Sequence, residues 1–324
     1  MRVLSWRPAR WLTGLAVLGA VLWHTGVDPF VAGVQALDAP TLALGAGLAV
    51  PITCACAWRW HLVARGLGVA VAPAAAVASC YRAQFLNIVL PGGVLGDVHR
   101  GVRHGRLAGD TGRGVRAVAW ERTAGQVVQA LVAVGLLLLL PSAVRASASW
   151  LLGALVVLTA AAGLGLVVVG TGPSWVGRVL RALRDDWRHG VLARAAWPGV
   201  LLASLLAVAG HLATYLLAAR AVGVAASTAT LLPLAVLVLV AAGLPTNVAG
   251  WGPREGAAAW TFGVAGLGAD QGVATAVAYG AIVAVASLPG AVVLVAGTAR
   301  RGARREAPGP ALLTAVAVEG QARG

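Results

Sequence analysis

Three pairs of charged residues lie inside or beside long apolar segments, where charged side chains are costly and usually functional. They are Asp97 and Arg100, Glu121 and Arg122, and Arg254 and Glu255. A guanidinium offers a planar fork of N–H donors that matches a phosphate or a carboxylate, and a neighbouring carboxylate holds that fork in place. The residue types therefore indicate a binding site for an anion, in which the acidic residues orient the arginines or accept a cationic group.

The spacing within each pair limits what its side chains contact. Arg100 follows Asp97 by three positions, so the two can pair if this stretch is helical. Glu121 and Arg122 are consecutive and point about 100° apart on a helix. They are therefore not expected to pair with each other, and each needs another partner or a polar cavity. The alternative is an interfacial position, with Arg122 extending to a lipid phosphate.

Helix-breaking residues accompany the first and third pairs. They are Pro91, Gly92, Gly93 and Gly96 before Asp97, and Pro245, Gly250, Gly252, Pro253 and Gly256 around Arg254. Glycine lets the backbone turn and approach closely, proline suits the first turn of a helix, and a helix N-terminus offers free N–H groups to an anion. Asn87 is a candidate to bond backbone freed by Pro91. Both breaks are candidate hinges with substrate contacts. The alternatives are a structural hinge at the first and a capped loop at the second.

Other chemistries find little support in the sequence. The six histidines are scattered, the three cysteines form no CxxC pair, and the glycines from 250 to 256 do not match the GxGxxG spacing of dinucleotide sites. We therefore predict no metal, no cofactor and no catalytic residue, and we interpret the chain as not being an enzyme.

The composition is that of a membrane protein. It is 59% hydrophobic and 11% charged, whereas soluble domains carry about 25% charged residues. Several apolar runs are long enough to cross roughly 30 Å of hydrocarbon as helices. They occupy residues 2–26, 41–58, 117–140, 150–170, 199–219 and 272–297. Because the runs are apolar on every face, a β-barrel is excluded, and the sequence predicts an all-α polytopic membrane protein with about six full spans.

The distribution of arginine predicts the orientation. The chain has 25 basic and 11 acidic residues, and its net charge is +14. Arginines cluster after residue 58, in 100–116, in 178–194 and in 300–305, which the positive-inside rule assigns to the cytoplasm. Arg59 is counted there as a loop residue. This rule explains the charge without nucleic acid as a partner. We predict a multi-pass protein of a bacterial plasma (inner) membrane with both termini cytoplasmic.

Two further apolar stretches, 69–90 and 231–267, must begin and end on the same side of the membrane given these charges. Each borders or contains one of the breaks, so we predict two re-entrant hairpins that enter from opposite faces and are covered by protein. The halves at about 1–140 and 149–299 then form an inverted-topology repeat, with the substrate site between them. The membrane domain covers 1–306, and 307–324 is predicted to be a disordered cytoplasmic tail.

The run from Gln84 to Gly93, followed by Gly96-Asp97 and Arg100, resembles the flippase-like, lysylphosphatidylglycerol synthase transmembrane-domain family. That family shows an Asn, a Leu-Pro-Gly, a Gly-Gly-Asp and a following Arg. Here Leu95 stands where the first Gly of Gly-Gly-Asp is usual. Glu121-Arg122 is similar to the family's Glu-Arg pair. The segment 244–256 is similar to its Leu-Pro, Gly-x-Gly and Arg-Glu-Gly signature. The resemblance covers roughly residues 11–305.

The resemblance implies an integral membrane protein that moves lipids, often anionic or aminoacylated phospholipids, between leaflets. Some members carry a soluble aminoacyl transferase domain, and we expect none here. We interpret the chain as a lipid flippase or amphiphile transporter whose partners are membrane lipids, and a homo-oligomer is left open. One alternative is a membrane-embedded transferase that acts on a lipid-linked substrate through Glu121 and Asp97. The other is a non-catalytic partner subunit of a lipid enzyme or transporter.

Overall fold

The computed structural model describes residues 6–90, 93–137, 153, 185–191, 193–244 and 251–306. Throughout this part the chain is helical and contains no β-strand, which confirms the predicted all-α class. Several sequence predictions fall elsewhere. The breakers Pro91, Gly92, Pro245 and Gly250, nearly all of the predicted span at 150–170, and the predicted tail at 307–324 lie outside the described residues.

The structure describes six helices up to residue 137. They are α1 (Trp6–Thr25), α2 (Asp28–Gln35), α3 (Ala39–Gly66), α4 (Pro73–Val89), α5 (Leu95–Leu107) and α6 (Thr111–Leu137). From residue 185 onward the structure describes five helices and one short π-helical turn. They are the turn (Trp187–Val191), α7 (Trp197–Ala221), α8 (Thr228–Ala242), α9 (Pro253–Val264), α10 (Ala269–Ser287) and α11 (Pro289–Glu306).

Three described segments are long and apolar enough to cross a membrane: α3, α7, and α10 with the start of α11. A fourth crossing is possible only if α1 and α2 are counted together, and these helices meet at an angle of 93°. Helix α2 lies between the predicted spans at 2–26 and 41–58. Helix α6 corresponds to the predicted span at 117–140 and carries Glu121 and Arg122 in its interior.

The start of α3 shows why this span begins where it does. The Asp38 side chain accepts a hydrogen bond from the backbone N–H of Thr41 at 2.9 Å and caps the helix. Hydrogen bonding from Thr41 also lowers the pKa of the exposed Asp38 carboxyl. Pro51 lies inside the same helix, which a membrane helix tolerates because neighbouring helices compensate for the lost backbone hydrogen bond.

Helix α8 lies at the centre of the main apolar core. Its residues from Leu234 to Ala241 are all buried, and it packs against α6, α7 and α9. A helix that is apolar on every side and only 15 residues long is suited to burial within protein. Helix α8 ends at Ala242 and α9 begins at Pro253, so the second predicted break follows a helix that neighbouring helices cover.

Candidate functional site

Glu121 on α6 is the centre of a buried ionic network. Its Oε1 accepts hydrogen bonds from Nη2 and Nε of Arg59 at 2.5 and 2.8 Å. Its Oε2 accepts one from Nη2 of Arg100 at 2.5 Å. The Glu121 side chain is 1% exposed, so two guanidinium groups compensate its charge where solvent does not reach. Glu121 and Arg122 do not pair with each other, as their consecutive positions predicted.

Asp97 on α5 extends the network on the other side of Arg100. Its Oδ1 accepts from Nε of Arg100 at 2.9 Å, which confirms the pair predicted from their spacing. Its Oδ2 accepts from Nη2 of Arg122 at 2.6 Å and from Nδ2 of Asn87 at 2.9 Å. Two carboxylates therefore hold three arginines, and the network carries an excess of one positive charge.

The two buried arginines are fixed by further contacts. The guanidinium of Arg100 lies 4.7 Å from the Trp60 ring centroid, in cation–π geometry, and donates to Sγ of Cys80 at 3.4 Å. Arg59 donates to Oγ of Ser204 on α7 at 3.2 Å. The network thus joins α3, α4, α5, α6 and α7. Because most of its members lie far apart in sequence, it depends on the packing of the whole domain.

Asn87 bridges the first break in a way the sequence did not predict. We expected it to bond backbone freed by Pro91. Instead, its Oδ1 accepts from the backbone N–H of Gly96 at 2.8 Å while its amide donates to Asp97. Gly93, between the two helices, has φ +62°, a conformation that favours glycine. Asn87 therefore ties the end of α4 to the start of α5 and positions Asp97.

Gly96 allows α5 to approach α4 closely. A Cβ at this position would collide with the carbonyl oxygen of Ala83 and lie 2.7 Å from its Cα. We expect Gly96→Ala to lower the free energy of unfolding by about 2 kcal/mol, because backbone on both sides must move. The check is an SDS unfolding titration in mixed micelles. Gly135→Ala is the control, since a Cβ there meets nothing within 4 Å. Equal stability of both variants would contradict the close approach.

A cavity of about 170 Å³ opens beside the network. Its polar lining comes from α3, α4, α5, α6 and α7. These residues are Thr53, Cys56, Arg59, Cys80, Gln84, Asp97, Arg100, Glu121, Arg122, His211 and Thr214. Small and branched apolar residues of α3, α4 and α10 form the rest, among them Ile52 and Ile282. Such a mixture of apolar walls and convergent polar groups is typical of ligand sites.

Arg122 is the arginine of the network that remains open to a ligand. Its side chain is 51% exposed, whereas those of Arg59 and Arg100 are 7% and 3% exposed. Among the described side chains, Asp97 alone accepts a hydrogen bond from Arg122, so most of its N–H donors face the cavity or solvent. An anion that enters the cavity meets these donors.

The third charged pair forms a separate group. Oε1 of Glu255 accepts from Nη2 and Nε of Arg254 at 2.5 and 2.9 Å, and its Oε2 accepts from the backbone N–H of Gly252 at 2.7 Å. Gly252 has φ +117°, and Pro253 stands in the first turn of α9, as the sequence predicted for both. The Arg254 guanidinium lies 5.6 Å from each of the ring centroids of Trp251 and Tyr279.

The structure does not bring Arg254 and Glu255 to the cavity. Neither belongs to the described residues that line it, and Arg254 is held by Glu255. Arg254 and Arg122 therefore do not share one site in this conformation. His211 and Tyr279 connect the cavity to Arg254. Nδ1 of His211, which lines the cavity, lies 2.9 Å from the hydroxyl of Tyr279, and the Arg254 guanidinium lies over the Tyr279 ring. Gly256 packs against α1, where a Cβ would lie 2.9 Å from Val17.

Arg59 and His211 are among the cavity residues that the sequence reasoning missed. Arg59 was counted as a cytoplasmic loop residue because it follows the apolar run 41–58, but α3 continues to Gly66 and buries it. His211 was set aside as one of the scattered histidines, although its position inside the apolar run 199–219 was a signal. In the described part of the chain, no three His, Cys, Asp or Glu residues are arranged to hold a metal ion.

A protein-family model described as "Lysylphosphatidylglycerol synthase TM region" matches residues 11–290. Neither the curated proteins nor the solved structures contain a match to the chain. The matched range contains all three charged pairs and every residue that lines the cavity.

Proposed function

Because this chain belongs to the family described as lysylphosphatidylglycerol synthase TM region, a multi-pass membrane protein family tied to lipid metabolism or transport, we propose that it moves phospholipid between the leaflets of a membrane. The observation that carries the proposal is the half-exposed Arg122 in a cavity of otherwise compensated charges. The phosphate of a headgroup supplies a second anion to this guanidinium, because its carboxylate partner Asp97 is shared with Arg100. Its acyl chains stay against the apolar outer surface.

An inverted repeat would allow the cavity to open to each leaflet in turn. Its support is the pattern of contacts between helices. When α3 is exchanged with α7, α4 with α8, α5 with α9 and α6 with α10, every pair among these eight helices that is in contact becomes a pair in contact. Helix α5 packs on α6 as α9 packs on α10, α3 contacts α10 as α7 contacts α6, and α4 contacts α10 as α8 contacts α6. Helices α3 and α7 pack on each other. On this proposal, the pairs α4–α5 and α8–α9 are the two re-entrant hairpins, and the halves rock around the cavity.

We place the protein in a bacterial plasma membrane with both termini in the cytoplasm. The support is the basic surface around the α5–α6 connection, where Arg103, Arg106, Arg113 and Arg116 cluster. Arg116 pairs there with Asp186 at 2.8 Å, so the segment before α7 reaches the same face. The finer count of about six spans also belongs to this proposal.

The test is leaflet exchange in proteoliposomes. Fluorescent phosphatidylglycerol is incorporated, and dithionite quenching reports the fraction in the outer leaflet. We expect exchange well above that of empty liposomes, and a loss of about tenfold or more in Arg122→Gln, because one charge-assisted contact to phosphate is removed.

The matched control is Arg113→Gln. Arg113 is 47% exposed, pairs with Asp110, and lies outside the cavity, so its loss should leave exchange unchanged. Exchange at the empty-liposome rate, under an imposed voltage and under a pH gradient, would contradict the proposed flipping and favour a partner-subunit role. An equal loss in both variants would remove the cavity from the mechanism.

A further inference from the structure

The acidic groups of the cavity are already occupied by arginine. Glu121 accepts from Arg59 and Arg100 through both oxygens. Asp97 accepts from Arg100 through one oxygen, and from Arg122 and Asn87 through the other. These are the two acidic residues among the described residues that line the cavity. A cationic amine that entered would have to displace a guanidinium from a carboxylate.

The net charge of the lining works in the same direction. Three arginines and two carboxylates leave one positive charge, and either protonation state of His211 keeps the sum positive. The remaining polar lining is neutral, and Thr53 and Gln84 hydrogen-bond to each other at 3.2 Å. Because the apolar walls lower the local dielectric constant, repulsion of a further cation is stronger here than in water.

The size of the cavity points to the headgroup as the part that is bound. About 170 Å³ is smaller than the roughly 300 Å³ at which typical small-molecule pockets begin. It accommodates a phosphate with a short neutral substituent. A lysyl ester would bring two additional ammonium groups into the positively charged lining.

We infer that the cavity selects phospholipids whose headgroup is anionic and carries no ammonium group, and that it discriminates against aminoacylated phospholipids. This specificity rests on the proposed flippase function. It differs from what the resemblance implied, which included aminoacylated lipids as substrates. The determinant is Arg122. Its carboxylate partner Asp97 also pairs with Arg100, so one positive charge of the lining stays uncompensated.

The transport arm of the test compares three fluorescent lipids in the same proteoliposomes: phosphatidylglycerol, phosphatidylethanolamine and lysylphosphatidylglycerol. We expect rates to fall in that order, with about a tenfold or larger difference between the first and the last. Arg122→Glu should abolish or reverse this preference, whereas Arg113→Glu should keep it. If every lipid exchanges at the empty-liposome rate, the flippase proposal fails and the binding arm decides the specificity.

The binding arm uses Cys56, which lines the cavity. In a Cys54→Ser background, the rate at which a methanethiosulfonate reagent modifies Cys56 is followed by mass spectrometry. Dihexanoyl phosphatidylglycerol should protect Cys56 at about tenfold lower concentration than its lysyl ester, and this advantage should disappear in Arg122→Glu. Equal or better protection by the lysyl ester, or equal or faster exchange of the lysyl lipid, would overturn the inference.

Discussion

Glu121→Gln is expected to lower the free energy of unfolding by about 3–5 kcal/mol, because it leaves the buried Arg59 without a compensating charge and removes one of the two carboxylates that hold Arg100. Both Arg59 and Arg100 donate to Glu121, and all three side chains are nearly inaccessible. Glutamine has almost the same shape and can still accept one hydrogen bond, so the change reports mainly on charge. The measurement is an SDS unfolding titration in mixed micelles.

The control for this prediction is Asp110→Asn, which also neutralises the acidic partner of an arginine. Asp110 is 43% exposed and its partner Arg113 is 47% exposed, so this pair should contribute less than about 1 kcal/mol. If Glu121→Gln were as stable as Asp110→Asn, the buried network would not hold α3, α5 and α6 together. Leaflet exchange should be lost in Glu121→Gln, because Arg100 would no longer be fixed and Asp97 would lose its position.

Glu255→Gln is expected to lower the free energy of unfolding by about 3 kcal/mol. The Glu255 side chain is fully buried and serves two partners: the Arg254 guanidinium and the backbone N–H of Gly252. Without the negative charge, Arg254 stays beside the rings of Trp251 and Tyr279 with no other acidic partner among the described residues. Glutamine offers one acceptor oxygen where Glu255 offers two, so either Arg254 or the backbone N–H of Gly252 loses its acceptor.

Asp270→Asn provides the matched comparison in the same half. Asp270 is exposed in the first turn of α10, where an acidic residue interacts weakly with the helix dipole, so its loss should cost under about 1 kcal/mol. Thermal unfolding in detergent should separate the two variants. Similar midpoints would mean that Arg254 is hydrated, and the second break would then need another explanation for its geometry.

The two ionic groups follow one arrangement. Each has a buried arginine whose guanidinium packs against a glycine, and this glycine lies on the second helix after the break, α6 or α10. A Cβ at Gly125 on α6 would lie 2.7 Å from Nη1 of Arg59, and a Cβ at Gly280 on α10 would lie 2.8 Å from Cζ of Arg254. In both places the missing side chain makes the room for the guanidinium. The two glycines lie on α6 and α10, which the exchange of helix contacts relates, whereas the two arginines lie on α3 and α9, which it does not relate.

The class of protein was determined by the sequence alone, because transfer of charge into hydrocarbon is so costly that apolar runs and charge clusters locate helices directly. The same holds for the features that local geometry dictates. The Asp97–Arg100 pair follows from helical spacing, the lack of a bond between Glu121 and Arg122 follows from consecutive positions, and Gly93 and Gly252 stand where the backbone takes positive φ.

Only the tertiary structure decided which of these groups share a site. Arg59 and Glu121 are 62 positions apart, and their hydrogen bond depends on the register at which α3 packs on α6. The same packing brings His211 to the cavity and leaves Arg254 with Glu255 outside it. Hydrophobic patterns in this chain are nearly uniform around each span, so they place a helix in the membrane without showing which face meets which neighbour. Side-chain contacts across helices set that choice.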